Sequence, residues 1–323
     1  MSVFAKYLKV SNEIFNELFD QTEQNIYHYT SPLGLQSIIE NGTLRFTDRF
    51  YLNDANEGYY VLNLLIENKE QIFSDDSRLA CCKETIVSAC KKYIDSMEKY
   101  EFKIYQISFS LNDDSLCMWN YYTKGDTIQG YNIHFNSQKL CQSLEIPEYP
   151  IHGKPHILCG KVIYDKKEQI RILREYLEKI YSAIEDDHGN NHASIHFTNR
   201  IESIIERITL IGTFFKKECF EIEKEYRIAI DLFFDQDVIK EFSDMKDEDG
   251  EKYKLLQNER KFDYRHGMFI PHIDIKFDTK TIEGISLSPT LDFEITRKNL
   301  MLFLEDKGIG TIDIKKSDIP VRF

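Results

Sequence analysis

Residues 26–46 constrain the fold more than any other stretch. Ile26-Tyr27-His28-Tyr29-Thr30 is a β-prone run that delivers a histidine near its end. Thr30 or Ser31 then opens an amphipathic helix with Leu35, Ile38 and Ile39 on one face. Asn41-Gly42 stops that helix before a second strand through Leu44 and Phe46. A histidine at such a junction can reach a sugar hydroxyl beside the strand. The backbone N–H groups at the helix start lie within reach of a polar or anionic ligand.

The 323 residues suffice for one large core or two modest ones, and 42% hydrophobic content with 22 Phe and 19 Tyr excludes disorder as the main state. No apolar run reaches the length of a membrane span, and Met1-Ser2-Val3-Phe4-Ala5-Lys6 has no signal-peptide apolar region, so a cytoplasmic chain is expected. Seven scattered cysteines without a CxxC pair point to free thiols rather than a zinc ribbon or disulfide framework. A net charge of −13 disfavours general adhesion to nucleic acid. Lys216-Lys217 and Arg45 with Arg49 either line a local basic cleft or form solvated patches, the second being the simpler reading.

Apolar spacing predicts an amphipathic helix over 1–20 and helices over 57–100 and 166–212, the last interrupted at Asp186-Asp187-His188-Gly189-Asn190-Asn191. Strands are expected at 104–109, 128–135, 157–164, 226–233, 267–277, 282–287 and 311–314, with helices at 115–122 and 293–306. Strands and helices intermix without βαβ regularity, so the class is α+β: one domain over 1–323 with helical insertions near 57–100 and 166–212.

Two further segments carry chemistry. Ser108-Phe109-Ser110 ends a strand, placing two hydroxyls on one side and an aromatic on the other. Glu221, Glu223 and Glu225 alternate before a hydrophobic strand that begins Tyr226-Arg227. On an extended segment these carboxylates project to one side, where like charges raise at least one pKa. Such crowding suits the stabilisation of an oxocarbenium-like cation. Arg227 serves either a phosphate or the glutamates themselves. His188 with His192, and His152 with His156, make poor metal pairs because Gly-Asn-Asn and Pro155 break their spacing, so no metal is expected. Asn53-Asp54 with Glu57 reads as a helix cap or a cation site, the cap being the simpler.

The order His28-Tyr29-Thr30, Ser108-x-Ser110, Glu223-x-Glu225 resembles the ADP-ribosyltransferase superfold, which implies a mixed or antiparallel split-sheet core. Nearly the whole chain also resembles a bacterial family, domain of unknown function 2971. The residues that carry this are His28-Tyr29-Thr30, Leu52-Asn53-Asp54 with Glu57, Met118-Trp119 with Tyr122, Glu223 through Arg227, and Ser317-Asp318-Ile319-Pro320-Val321-Arg322. Phe220 stands where that pattern has tryptophan, and Tyr29 where many transferases have glycine.

The superfold resemblance implies NAD as substrate. His28, Tyr29 and Thr30 would hold the dinucleotide, Ser108 and Ser110 the nicotinamide ribose and the catalytic glutamate. Glu225 would stabilise the cation and Glu223 help to choose the acceptor. Trp119, Tyr122 and Phe46 are candidates to stack on nicotinamide, and Arg227 to bind a phosphate. It implies a mono-ADP-ribosyltransferase with a protein or nucleic-acid acceptor and room for a regulatory partner, in a setting such as a bacterial toxin or anti-phage effector. An NAD glycohydrolase and an inactive nucleotide- or partner-binding module are the alternatives.

Overall fold

The computed structural model describes residues 13–17, 19, 22–52, 57–74, 79–96, 102–123, 129–146, 157–188, 193–233, 260–265 and 267–321. In chain order the elements are β1 (Asn25–Thr30), α1 (Pro32–Asn41), β2 (Thr43–Asp48), α2 (Tyr60–Glu67), α3 (Lys69–Ile72), α4 (Lys83–Ser96), β3 (Phe102–Ser110) and α5 (Leu116–Tyr122). There follow β4 (Tyr131–Asn136), α6 (Ser137–Ser143), β5 (Ile157–Lys161), α7 (Lys166–His188), α8 (Ala193–Thr198) and α9 (Ile201–Gly212). The last elements are β6 (Glu225–Phe233), β7 (Lys261–Arg265), β8 (Met268–Lys276), β9 (Ile282–Leu287), α10 (Phe293–Asp306) and β10 (Asp313–Lys316). The class is α+β. None of the helices among the described residues is long and apolar enough to cross a membrane.

The chain divides into two compact units, one of residues 1–21, 49–103 and 160–221, the other of 22–48, 104–159 and 222–323. The first is helical and takes in the helices expected at 57–100 and 166–212. Helix α7 runs on to His188, into the predicted break. Ile14, Phe15 and Phe19 are buried as the predicted N-terminal helix requires, Phe15 and Phe19 stacking with rings 4.4 Å apart. Phe4, Leu8, Val10 and Leu18 lie outside the described residues. Gln169 is fully buried with its amide paired: Nε2 donates to the carbonyls of Ile163 and Lys216, and Oε1 accepts from Tyr60.

Where α9 ends, Gly212 lies against α2. A Cβ there would stand 2.3 Å from Cγ1 of Val61, a stiff β-branched side chain. Gly212→Ala is therefore expected to cost about 1–3 kcal/mol, the range for overpacking, read as a lower urea midpoint at unchanged m-value.

The second unit is built on a ten-stranded sheet in the order β10-β9-β4-β1-β3-β2-β8-β7, with β6 joined to β3 and β5 to β6. Only β10–β9 is parallel among the pairs of that main order. Strand β3 has three partners: β1 at its end (Tyr27 opposite Ser110), β2 earlier (Thr47 opposite Gln106), and β6.

One face of this sheet carries the core: Ile26, Phe46, Tyr105, Ile107, Phe109, Ile133, Phe135, Tyr226, Ile228 and Ile285, covered by Leu35, Ile38 and Ile39 of α1 and Leu300 and Leu304 of α10. Helix α1 is capped as its sequence predicts. Ser31 Oγ accepts from the Gly34 N–H, and Gly42 closes the helix at φ 60°, which glycine adopts without penalty.

Candidate functional site

Strand alternation sorts β3 into two sets. Tyr105, Ile107 and Phe109 enter the core, so Gln106, Ser108 and Ser110 face the other way. In β6, Tyr226, Ile228 and Ile230 enter the core, which turns Glu225 and Arg227 to the face of the serines. The two motifs meet there. Ser108 donates to Glu225 Oε2 at 3.2 Å, and Arg227 Nε donates to the same oxygen at 2.5 Å. Glu225 is 4% exposed and Arg227 1%, so the pair is a buried carboxylate–guanidinium contact.

The second serine and the second glutamate interlock through backbone. Ser110 Oγ donates to the Glu223 carbonyl at 2.9 Å, and the Leu111 N–H to the Lys224 carbonyl at 2.8 Å. The end of β3 thereby fixes the entry to β6. Lys224 sits at φ 44°, the sole non-glycine positive φ among the described residues. This corrects the expectation of three glutamates along one extended edge. Glu218–Glu223 is a 3₁₀ turn, Lys224 reverses the backbone, and only Glu225 belongs to the strand. Glu221 is exposed whereas Glu223 and Glu225 are buried. Because the left-handed region costs an L-residue about 1–2 kcal/mol, Lys224→Gly is expected to keep or raise the urea midpoint. Lys224→Val, with its branched Cβ, is expected to lower stability by about 1–2 kcal/mol.

His28 falls on the opposite face. In β1 it stands across from Ile133, a core residue of β4, and its ring lies 5.5 Å from that of Phe109. Its link to the serine strand is through backbone, Nδ1 to the Ser108 carbonyl at 3.3 Å. A carbonyl only accepts, so Nδ1 carries the proton and Nε2 is left as acceptor. Burial pulls its pKa from 6.5 to about 4, and the ring is neutral at pH 7. The structure therefore does not bring the His28 side chain and Glu225 onto one surface.

Tyr29 has its side chain committed elsewhere. Its hydroxyl donates to the Asn112 carbonyl at 2.8 Å and accepts from the Ser115 N–H at 3.0 Å, and burial raises its pKa. Its ring meets Trp119 edge-on, centroids 4.8 Å apart. Trp119 is 0% exposed and its indole N–H donates to Asp114 Oδ1 at 2.7 Å. A ring enclosed on both faces offers none for stacking, so Trp119 is a core residue, as is Phe46. Tyr122 is partly buried against the same cluster, and Thr30 is buried.

Asp114, which the sequence reading passed over, also accepts from Ser317 Oγ at 2.7 Å and the Asp318 N–H at 2.8 Å. It thus ties the C-terminal Ser-x-Ile-Pro segment to the Met118-Trp119 helix. The signal that could have found it is an aspartate placed just before a short helix.

Of the four basic residues, Lys217 is exposed and Arg45 partly so, while the other two depart from the solvated-patch expectation. Lys216 is buried over the Phe220 ring, and Arg49 is buried and donates to the Thr209 carbonyl. Arg45 pairs with Asp263 and Asp274. All seven cysteines are free thiols. No group of His, Cys, Asp and Glu among the described residues is arranged to hold a metal ion. Asn53 and Asp54, the His152/His156 pair and His192 lie outside the described residues, as does the side chain of His188.

The fold and site define an α+β protein with a mostly antiparallel open sheet, in which a Ser-x-Ser strand end and a buried glutamate are hydrogen-bonded. Residues 118–228 match the model of a family described as "Protein of unknown function (DUF2971)". The matched stretch opens at the Met118-Trp119 helix and closes just past Glu225-Tyr226-Arg227. No curated protein and no solved structure matches the chain.

Proposed function

We propose that the protein is an ADP-ribosyltransferase-like enzyme that takes NAD as substrate, on a split sheet of the type that superfold uses. The observation that carries the reading is the hydrogen bond from Ser108 to Glu225, with Ser110 holding the backbone of Glu223. In the reaction the bond between ribose C1′ and the nicotinamide nitrogen breaks, and nicotinamide leaves with the electron pair. Glu225, paired with Arg227 and oriented by Ser108, stabilises the cation and takes a proton from the acceptor as it attacks C1′. Glu223 helps to select that acceptor, a protein or nucleic acid; with water the outcome is NAD hydrolysis. Tyr122 is a further candidate contact of the dinucleotide; the His28 and Thr30 side chains, on the face of β1 away from Glu225, are not carried into this reading.

A second reading, binding of a nucleotide or partner without turnover, is favoured by the near-complete burial of Glu225 against a guanidinium. Nicotinamide release from NAD, followed with label in the ADP-ribose half and with cell lysate present, separates the two. Release is expected from the wild type and a loss of at least about a hundredfold in Glu225→Gln. Label in a macromolecule identifies transfer, and free ADP-ribose alone identifies the hydrolase. Equal turnover in Glu225→Gln, or none in the wild type, would sink the enzyme reading.

A further inference from the structure

Gln106 is 1% exposed, and neither its Nε2 nor its Oε1 has a hydrogen-bond partner among the described residues. Roughly 90% or more of buried polar groups in proteins are paired, and one with two open atoms calls for a reason. Its place supplies one. Gln106 lies two residues before Ser108 on the same face of β3, a step of about 6.6–6.8 Å along a strand. Ser108 holds Glu225, whereas Thr47, opposite Gln106 on β2, does not bond it. A side-chain amide presents a donor and an acceptor in one plane, and its complement is a group that presents the same pair.

We propose that Gln106 reads the carboxamide of nicotinamide, setting specificity for the amide over the acid; this rests on the NAD reading above. With the ribose at Glu225, the carboxamide is the donor–acceptor group of NAD that one same-face step can reach. The adenine edge, which glutamine also pairs with well, lies beyond the pyrophosphate. The Tyr29 ring does not compete for the role, being held by Asn112, Ser115 and Trp119. Ser108 is partly exposed and marks the side from which a ligand reaches the face.

The test is thermal unfolding of the whole protein with nicotinamide, nicotinic acid or adenosine as separate probes, in the wild type, Gln106→Met and Gln106→Glu. Nicotinamide is expected to raise the wild-type midpoint by about 2 °C or more at saturation, with no shift from nicotinic acid or adenosine. Gln106→Met is expected to unfold at a higher temperature than wild type without ligand, because the unpaired amide is gone, and to lose the nicotinamide shift. Gln106→Glu is expected to lose the shift as well.

No nicotinamide shift in the wild type, an undiminished shift in a folded variant, or an equal shift from nicotinic acid or adenosine would overturn the assignment. The wild-type comparison of amide with acid needs no variant to fold. NAD turnover is scored separately. A nicotinamide shift lost in the variants, with no turnover, would support Gln106 as the amide reader and remove the enzyme reading. Turnover without amide selectivity would do the reverse.

Discussion

Arg227→Met is expected to lower the unfolding free energy by about 3–5 kcal/mol, the cost of removing one partner from a buried ion pair. Arg227 and Glu225 are 1% and 4% exposed and in contact at 2.5 Å. Without the guanidinium the carboxylate loses the charge that offsets its desolvation. Replacing both residues is expected to cost less than the single change: Glu225→Met/Arg227→Met removes the charge along with its partner, and the coupling should fall in the range of about 0.5–3 kcal/mol measured for residues in contact. Urea unfolding of the four proteins at pH 7.5 closes the cycle. A single variant that loses under 1 kcal/mol would mean that other groups carry the glutamate's charge.

Acid is expected to destabilise the protein well before its carboxylates titrate. His28 and His134 both have their pKa pulled from 6.5 to about 4, by burial first, with nearby Lys315 adding to the effect at His134. Between those values the unfolded chain binds protons that the native state does not, so stability falls as pH drops from 6.5 towards 4 and these two groups contribute no slope above 6.5. At pH 4.5 each imidazole accounts for about 2.5 kcal/mol of lost stability by this linkage. Urea unfolding at pH 7.5, 5.5 and 4.5 reads the slope. His28→Gln, which has no proton to gain, is expected to shrink the difference between pH 7.5 and 4.5 by about that amount. An unchanged slope would show that His28 has the same pKa in the folded and unfolded protein.

Much of the fold was legible because the signals are local. The strand at 282–287 and the helix at 293–306 fall where period-two and helical spacing put them. Asn41-Gly42 and Ser31 end and begin α1 through bonds confined to one turn. The boundaries that moved are set by what lies beyond the segment. The expected strand at 157–164 stops at Lys161, and helix α7 overruns Asp186-Asp187.

The candidate site divides along the same line. The sequence by itself determined which groups are available: two serines one residue apart at a strand end, and a run of glutamates followed by an arginine. It also determined that alternate residues of β3 and β6 must part, because side chains in a strand point to opposite faces. Only the tertiary structure decided which strands adjoin. That placed Ser108 against Glu225, sent His28 to the core side beside Phe109 and Ile133, and enclosed Trp119 with Tyr29. It also turned the chain at Lys224, splitting a charge run that reads as one edge, and left the Gln106 amide buried without a partner. The physical reason is that strand pairing and burial depend on contacts between segments about a hundred residues apart, where no local spacing carries information about the partner.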